Sequence, residues 1–377
     1  MLKKVLVSLL LTSALLNFSC ATNEKHTDVD TLEIYKSKNT RLADENLTSE
    51  QKNVVYKYAP IIFQETNVKE NVEKRTNWDF VTAADFDNDL IGNNNEESLR
   101  SGKFKLPANV YFALVETKTH YFITYSLFHP LDWSTSSPAI PYNWHENDME
   151  NLQVVVKKAT AKDYEKVILL STQAHLNTEV YPTGDSGVTG GEKQLDMPFV
   201  KLLGDNADGG GTHAGVYVEW GGHGIYNMDK KRDKFTNAKK LKLKEGFTFM
   251  PSRSNTPDYY QDGKSEYMYQ LKPIHDTFWK YYVEKTNMGD GKLLDGTFDY
   301  ADELVNYKNL PRHFDSNRVS GPGKTDAGIL SFAISYSLSA KDLGVLFFNP
   351  AKKYANTLKI SGDFSKEYVY NPYILKN

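Results

Sequence analysis

The sequence predicts a mainly β protein, an antiparallel β-sandwich with long loops and a few peripheral helices. Three observations predict it. Runs of β-branched and aromatic residues are dense between Asn109 and Tyr226. One of them, His120-Tyr121-Phe122-Ile123-Thr124-Tyr125, is apolar on both faces, as expected of a strand covered on both sides. Helical periodicity is scarce until Asp276-Thr277-Phe278-Trp279-Lys280-Tyr281-Tyr282.

The amino terminus has the layout of a secretory signal over residues 1–19. Met1-Leu2-Lys3-Lys4 is a short basic start, Val5 to Leu16 is an apolar run, and Asn17-Phe18-Ser19 leads to Cys20. The run is too short for a comfortable membrane span. It resembles a bacterial lipoprotein signal, in which Cys20 becomes the lipidated first residue and ties the protein to a membrane. Ordinary secretion with cleavage after Ala21 is the alternative. Either route places the mature chain in the bacterial cell envelope, as an outer-membrane lipoprotein, or outside the cell. Cys20 is the only cysteine, so no disulfide holds the exported fold. Loss of Lys3 and Lys4 takes the formal net charge from −3 to −5 with no basic block, which argues against nucleic acid or an acidic membrane surface as partner.

Residues 20–47 are polar and charged, a composition that cannot bury enough surface to fold alone, and read as a flexible tether. Thr48-Ser49-Glu50-Gln51 is a capping box that opens a short helix through Tyr58, stopped by Pro60. Asn109 to Glu116 and Thr119 to Phe128 form a hairpin around Thr117-Lys118, without the usual Gly or Asn of a tight turn. Leu152 to Lys157, Val167 to Ser171 and Gly215 to Trp220 continue the strand series. Residues 227–275, rich in Lys, Asp, Ser and Pro, read as long loops, while Ile329 to Ile334 and Val345 to Phe348 are apolar enough for core. Residues 48–377 are expected to form one elaborated domain, with its chemistry in 48–235 and a less legible remainder in 236–377.

The chemistry lies in His145-Glu146-Asn147-Asp148-Met149-Glu150, which runs into the apolar strand Leu152-Gln153-Val154-Val155-Val156. Alternation points Asp148 and Glu150 the same way, about 7 Å apart at Cα, with His145 in the loop that feeds them. Such a trio suits a divalent cation, and mixed oxygen and nitrogen ligands leave Mg²⁺, Ca²⁺, Mn²⁺ and Zn²⁺ open. The bland reading is a polar cluster that hydrogen-bonds a loop onto the sheet edge. Trp133, Tyr142 and Trp144 flank the motif and suit stacking on a sugar face or insertion among lipid headgroups. A second acidic stretch, Asp85 to Glu96, alternates carboxylates like a calcium loop, but Leu90 stands where that loop needs glycine, and an Asx-rich turn is the better reading.

Tyr58-Ala59-Pro60-Ile61-Ile62-Phe63, Phe128-His129-Pro130, His145 to Glu150 and Gly222-His223-Gly224-Ile225-Tyr226 come in the order and rough spacing of the Vps62-like proteins. The chain resembles that family, departing from its His-Glu-Gly-Asp-Trp-Glu signature at Asn147 and Met149. It is more distantly similar to the necrosis- and ethylene-inducing peptide 1-like (NLP) cytolysins, whose Gly-His-Arg-His-Asp-Trp-Glu heptapeptide shares the His-x-x-Asp-x-Glu skeleton. The resemblance implies a β-sandwich with a divalent cation at one end, held by His145, Asp148 and Glu150 with an upstream Asp132, and with His223 nearby. The function expected from residues and resemblance together is recognition of a glycan or lipid headgroup through the ion and its aromatic neighbours. Alternatives are a metal-dependent hydrolase with Glu146 as base and a purely structural cation.

Overall fold

The computed structural model describes residues 47–66, 76–133, 145–174, 177–204, 212–231, 246–278, 280–281, 286, 297–299, 313–315 and 349–372. The signal, residues 20–46 of the tether, Tyr142, Trp144 and the apolar runs at 329–348 lie outside them, and Leu47, the last residue of the expected tether, is buried in the core. Helix α1, Ser49–Lys57, begins as its capping box dictates: Gln51 N donates to Thr48 Oγ1 at 3.1 Å, and Thr48 N donates to Gln51 Oε1 at 3.0 Å. Strand β1, Ile61–Glu65, follows, and a 3-10 turn at Thr76–Asp79 precedes helix α2, Asn95–Ser101. Strands β2, Asn109–Thr117, and β3, His120–Asp132, form the expected hairpin. The hydroxyl of Thr117 supplies the missing turn chemistry by accepting from the Thr119 and His120 amides. Strands β4, His145–Lys157, β5, Lys166–Ala174, and β6, Asn177–Pro182, continue this antiparallel run.

The remainder departs from a sandwich. After two short strands, β7 at Val188–Gly190 and β8 at Leu202–Leu203, come β9, His213–Val218, β10, Ile225–Asn227, β11, Gly246–Pro251, and β12, Glu266–Pro273. Strand β1 pairs parallel with β9, and β12 pairs parallel with both β11 and β2. The result is a mixed 12-stranded sheet in the order β10-β9-β1-β11-β12-β2-β3-β4-β5-β6, with β8 on β9 and a late strand, β16 at Tyr368–Tyr370, on β2. The expected antiparallel sandwich is therefore corrected to a curled mixed sheet, and the expected loops at 227–275 to two of its central strands. The physical reason is alternation: Phe247 and Phe249 on β11, and Tyr267, Tyr269 and Leu271 on β12, bury every second side chain against Phe80 and Ile62. Two further short strands, β13 at Thr297–Asp299 and β14 at His313–Asp315, pair with each other, and helix α3, Pro350–Thr357, leads into β15, Leu358–Ile360, which pairs with β7.

The curl brings the end strand β10 against β4 and β5. Contact there is close enough that a Cβ on Gly224 would lie 3.2 Å from the Ala174 Cβ. One sheet face carries Ile123, Tyr125, Leu127, Leu152 and Val154 into the larger core, and the other carries Phe122, Phe128, Met149 and Val155 into a second core covered by Tyr354 of α3. Among the described residues no helix is long and apolar enough to cross a membrane.

Candidate metal centre

Where the curl closes, the loop Glu219–Gly224 lies over the β3–β4 pair. His129 of β3 stands opposite Asp148 of β4, and the loop adds His223 from the other end of the sheet. Among the described residues these three bring one ligand atom each within 4.8 Å of one another, and all are buried. The two imidazoles stack face to face, with centroids 3.6 Å apart and planes 4° from parallel. His223 Nδ1 meets Asp148 Oδ2 at 2.6 Å.

Each ring is aimed by an outer partner. Gln64, itself fully buried, donates through Nε2 to the Glu65 and Glu219 carbonyls at 3.0 and 3.3 Å, which fixes its amide so that Oε1 faces His129. That oxygen accepts from His129 Nε2–H at 3.0 Å. His129 Nδ1 is therefore a bare lone pair, buried and without a hydrogen-bond partner among the described residues. On the other ring, His223 Nε2–H donates to Asp79 Oδ1 at 3.2 Å. The same oxygen accepts from Trp133 Nε1–H and the Gly221 amide, each at 2.8 Å. His129, anchored at one nitrogen by an amide and open at the other, has the form that metal-ligating histidines take, whereas both nitrogens of His223 are engaged by carboxylates.

The backbone pays a local strain here. His223 has φ of 51° and Asn147, next to Asp148, has φ of 59°, a left-handed conformation that costs a non-glycine residue about 1 kcal/mol or more. Asn147 is held there by donating to the Gly92 carbonyl at 2.6 Å and accepting from Asn95 Nδ2 at 2.9 Å. Burial and the neighbouring His223 charge hold His129 well below the usual imidazole range. Burial acts on His223 the same way, but hydrogen bonds and charge from Asp148 and Asp79 outweigh it and raise the ring to about 9. Burial pushes the Asp79 carboxyl up against its three donors; the ionised form is the one that three hydrogen bonds at a single oxygen serve.

Of the residues singled out from sequence, Asp148 and His223 belong to this group. Glu150 and Asp132 are also buried, but neither shares the cluster: Glu150 stands opposite Leu127, two residues along β4 from Asp148, and Asp132 ends β3 opposite His145. Of the His145 side chain nothing is described. Trp133 is buried rather than displayed, packed edge-on to Trp78 at 5.9 Å with its indole N–H on Asp79. Glu146 is engaged structurally, since its Oε1 accepts the Glu96 amide in the first turn of α2 at 2.8 Å. Asp87 and Asp89 of the acidic stretch accept from Asp89 N and Ile91 N, an Asx-turn series that leads into α2. His213 begins β9 with Nδ1 on the Ala59 carbonyl at 2.6 Å.

Sequence reasoning quoted His129 without assigning it, and missed Asp79 and Gln64. The signals were faint: a histidine before Pro130 at a strand end, an aspartate in Asn77-Trp78-Asp79-Phe80, and a glutamine inside an apolar strand.

Fold and site thus define a class: a mainly β protein on a curled mixed sheet, with a buried His–Asp–His group able to hold a metal ion. Distant structural neighbours are NLP-like proteins. A solved structure described as a toxin fold for microbial attack and plant defence is 21% identical over 32% of this chain and 45% of its own, with a TM-score of 0.21. Necrosis and ethylene inducing protein 2 from the causal agent of cocoa's witches' broom disease is 11% identical over 59% of this chain and 73% of its own, with a TM-score of 0.24. The non-toxic HaNLP3 protein is 15% identical over 48% and 79%, with a TM-score of 0.21. This chain thus spans under half the length of the first of these structures. No protein-family model and no curated protein matches the chain, so the Vps62-like resemblance finds no support there.

Proposed function

We propose that this chain is an exported protein of the bacterial cell envelope in which His129, Asp148 and His223 bind one divalent cation, and that the ion clamps the curled sheet rather than performing chemistry. One observation carries the reading: the bare Nδ1 of His129, buried beside the Asp148 carboxylate and the His223 ring. A buried acceptor with no donor is costly, and a cation satisfies it. Two imidazoles and a carboxylate suit Zn²⁺ or Mn²⁺ better than Mg²⁺ or Ca²⁺, which take oxygen sets. Three considerations favour a structural ion over a hydrolytic one. The three side chains are buried, Glu146 is occupied at the α2 terminus, and the ligands join two interior strands to the loop at one end of the sheet. In this reading any glycan or headgroup recognition belongs to another surface, and the Met1–Cys20 segment supports export and lipid anchoring.

The test is metal analysis of protein purified without added ions, beside His129→Ala, Asp148→Ala and Glu150→Ala variants. About one equivalent in the parent and in Glu150→Ala, with loss from the other two, supports the assignment. Equal metal in all four, or none in the parent, sinks it, and none in the parent would leave His223 as an imidazolium between two carboxylates.

A further inference from the structure

A groove of about 440 Å³ runs beside the parallel junction of β2 and β12, and its walls include Lys103, Lys105, Lys272, Asp85, Asn109 and Tyr259. Three lysines against one aspartate make it basic on a chain whose formal net charge is −3. Phe104 packs against the core between Lys103 and Lys105, so both lysines are displayed. Neither has an ion-pair partner among the described residues. Lys272 is held in place by Asp85, with Nζ 3.2 Å from Oδ1.

Two further groups add polarity and shape. Asn109 is 1% exposed, and its Oδ1 has no hydrogen-bond partner among the described residues. Tyr259 is 47% exposed, yet its backbone is fixed against Pro107: the Ala108 amide donates to Asp258 O at 2.8 Å and the Tyr260 amide to Leu106 O at 2.9 Å. The groove thus offers two ammonium groups without ion-pair partners among the described residues, a buried acceptor that wants a hydroxyl donor, and an exposed aromatic ring on a fixed backbone. Ammonium groups recognise carboxylate or sulfate, an amide oxygen takes a sugar hydroxyl, and a tyrosine face covers the C–H side of a pyranose.

We propose that this groove binds an acidic oligosaccharide, built of pyranose units that carry carboxylate or sulfate groups. The proposal needs no ion at the His–Asp–His group and stands apart from it. The test is calorimetric titration of the full chain with oligogalacturonate as the carboxylate source and heparin-derived oligosaccharide as the sulfate source. Neutral maltooligosaccharide, inorganic sulfate and single-stranded DNA serve as controls. Saturable binding to at least one acidic sugar is expected, at least about tenfold weaker in Lys103→Gln/Lys105→Gln and in Tyr259→Ala at unchanged melting temperature. Silence toward both acidic sugars, equal affinity for a control, or unaltered binding by the variants would overturn the proposal. Metal content read in the same preparations keeps its failure distinct from failure of the cation site.

Discussion

Replacement of Asp79 by alanine strands three buried donors at once: the Trp133 indole, the Gly221 amide and the His223 ring. Each neutral donor left without an acceptor costs about 1–3 kcal/mol, and a charged one more. Removing one partner of a buried ion pair costs about 3–5 kcal/mol. Local relaxation and water entry return part of this, so Asp79→Ala should lower the unfolding free energy by about 4 kcal/mol. Asp79→Asn keeps an oxygen for Trp133 and Gly221 and gives up only the charge facing His223, so its cost should be about 1–2 kcal/mol. The assay is equilibrium urea unfolding followed by tryptophan fluorescence, with chelator present so that ion occupancy is constant. Trp133 and its neighbours Trp78 and Trp220 report on the site itself. If Asp79→Ala falls within about 1 kcal/mol of the parent, or Asp79→Asn is as damaging as alanine, the shared oxygen is not the anchor described above.

The remaining expectations concern pH, backbone and export. Burial, with Lys157 and Lys158 nearby, lowers His120 from 6.5 to about 4. The folded ring thus stays neutral while the unfolded chain takes up a proton. Stability should therefore fall by up to about 3 kcal/mol as pH drops from about 6.5 towards 4, a slope that His120→Gln should flatten in urea titrations. Asn147→Ala should cost about 2–3 kcal/mol by losing its bonds to Gly92 and Asn95 at a positive φ, and Asn147→Gly about 1 kcal/mol less because glycine relieves the backbone. Equal losses in thermal or chemical unfolding would count against that strain. Cys20→Ala should abolish incorporation of labelled palmitate and shift the protein from the membrane to the soluble fraction, whereas a parent protein that takes up no label contradicts lipidation.

Local chemistry was legible in the sequence because it is written in adjacent letters. Thr48 and Gln51 announced α1, and the β-branched and aromatic runs of residues 109–128 announced β2 and β3. Strand neighbours were not legible. Strands β11 and β12 were missed outright, because the Lys, Asp, Ser and Pro around them hid the alternation of Phe247 with Phe249 and of Tyr267 with Tyr269, and nothing in the letters says that β1 will lie parallel to β9 or β12 to β2. The site suffered for the same reason. Asp148 stood out inside an acidic motif and His223 beside two glycines, whereas His129 needed the β3–β4 register to reveal it. Asp79 needed the fold itself, since its partners lie 54 residues away at Trp133 and 144 away at His223.

His129 and Asp148 belong to neighbouring strands of one hairpin, whereas His223 joins from 75 residues beyond Asp148. The first pair is therefore assembled as soon as the hairpin zips, but the far end of the sheet that carries the third member is joined to it only through β11 and β12, which follow His223 in the chain. A ribosome or translocon that stalls between those events leaves a chain with its strands paired and its keystone absent. Such a fragment would expose the very surface that the finished molecule hides, and quality-control proteases would meet it with the seam still open.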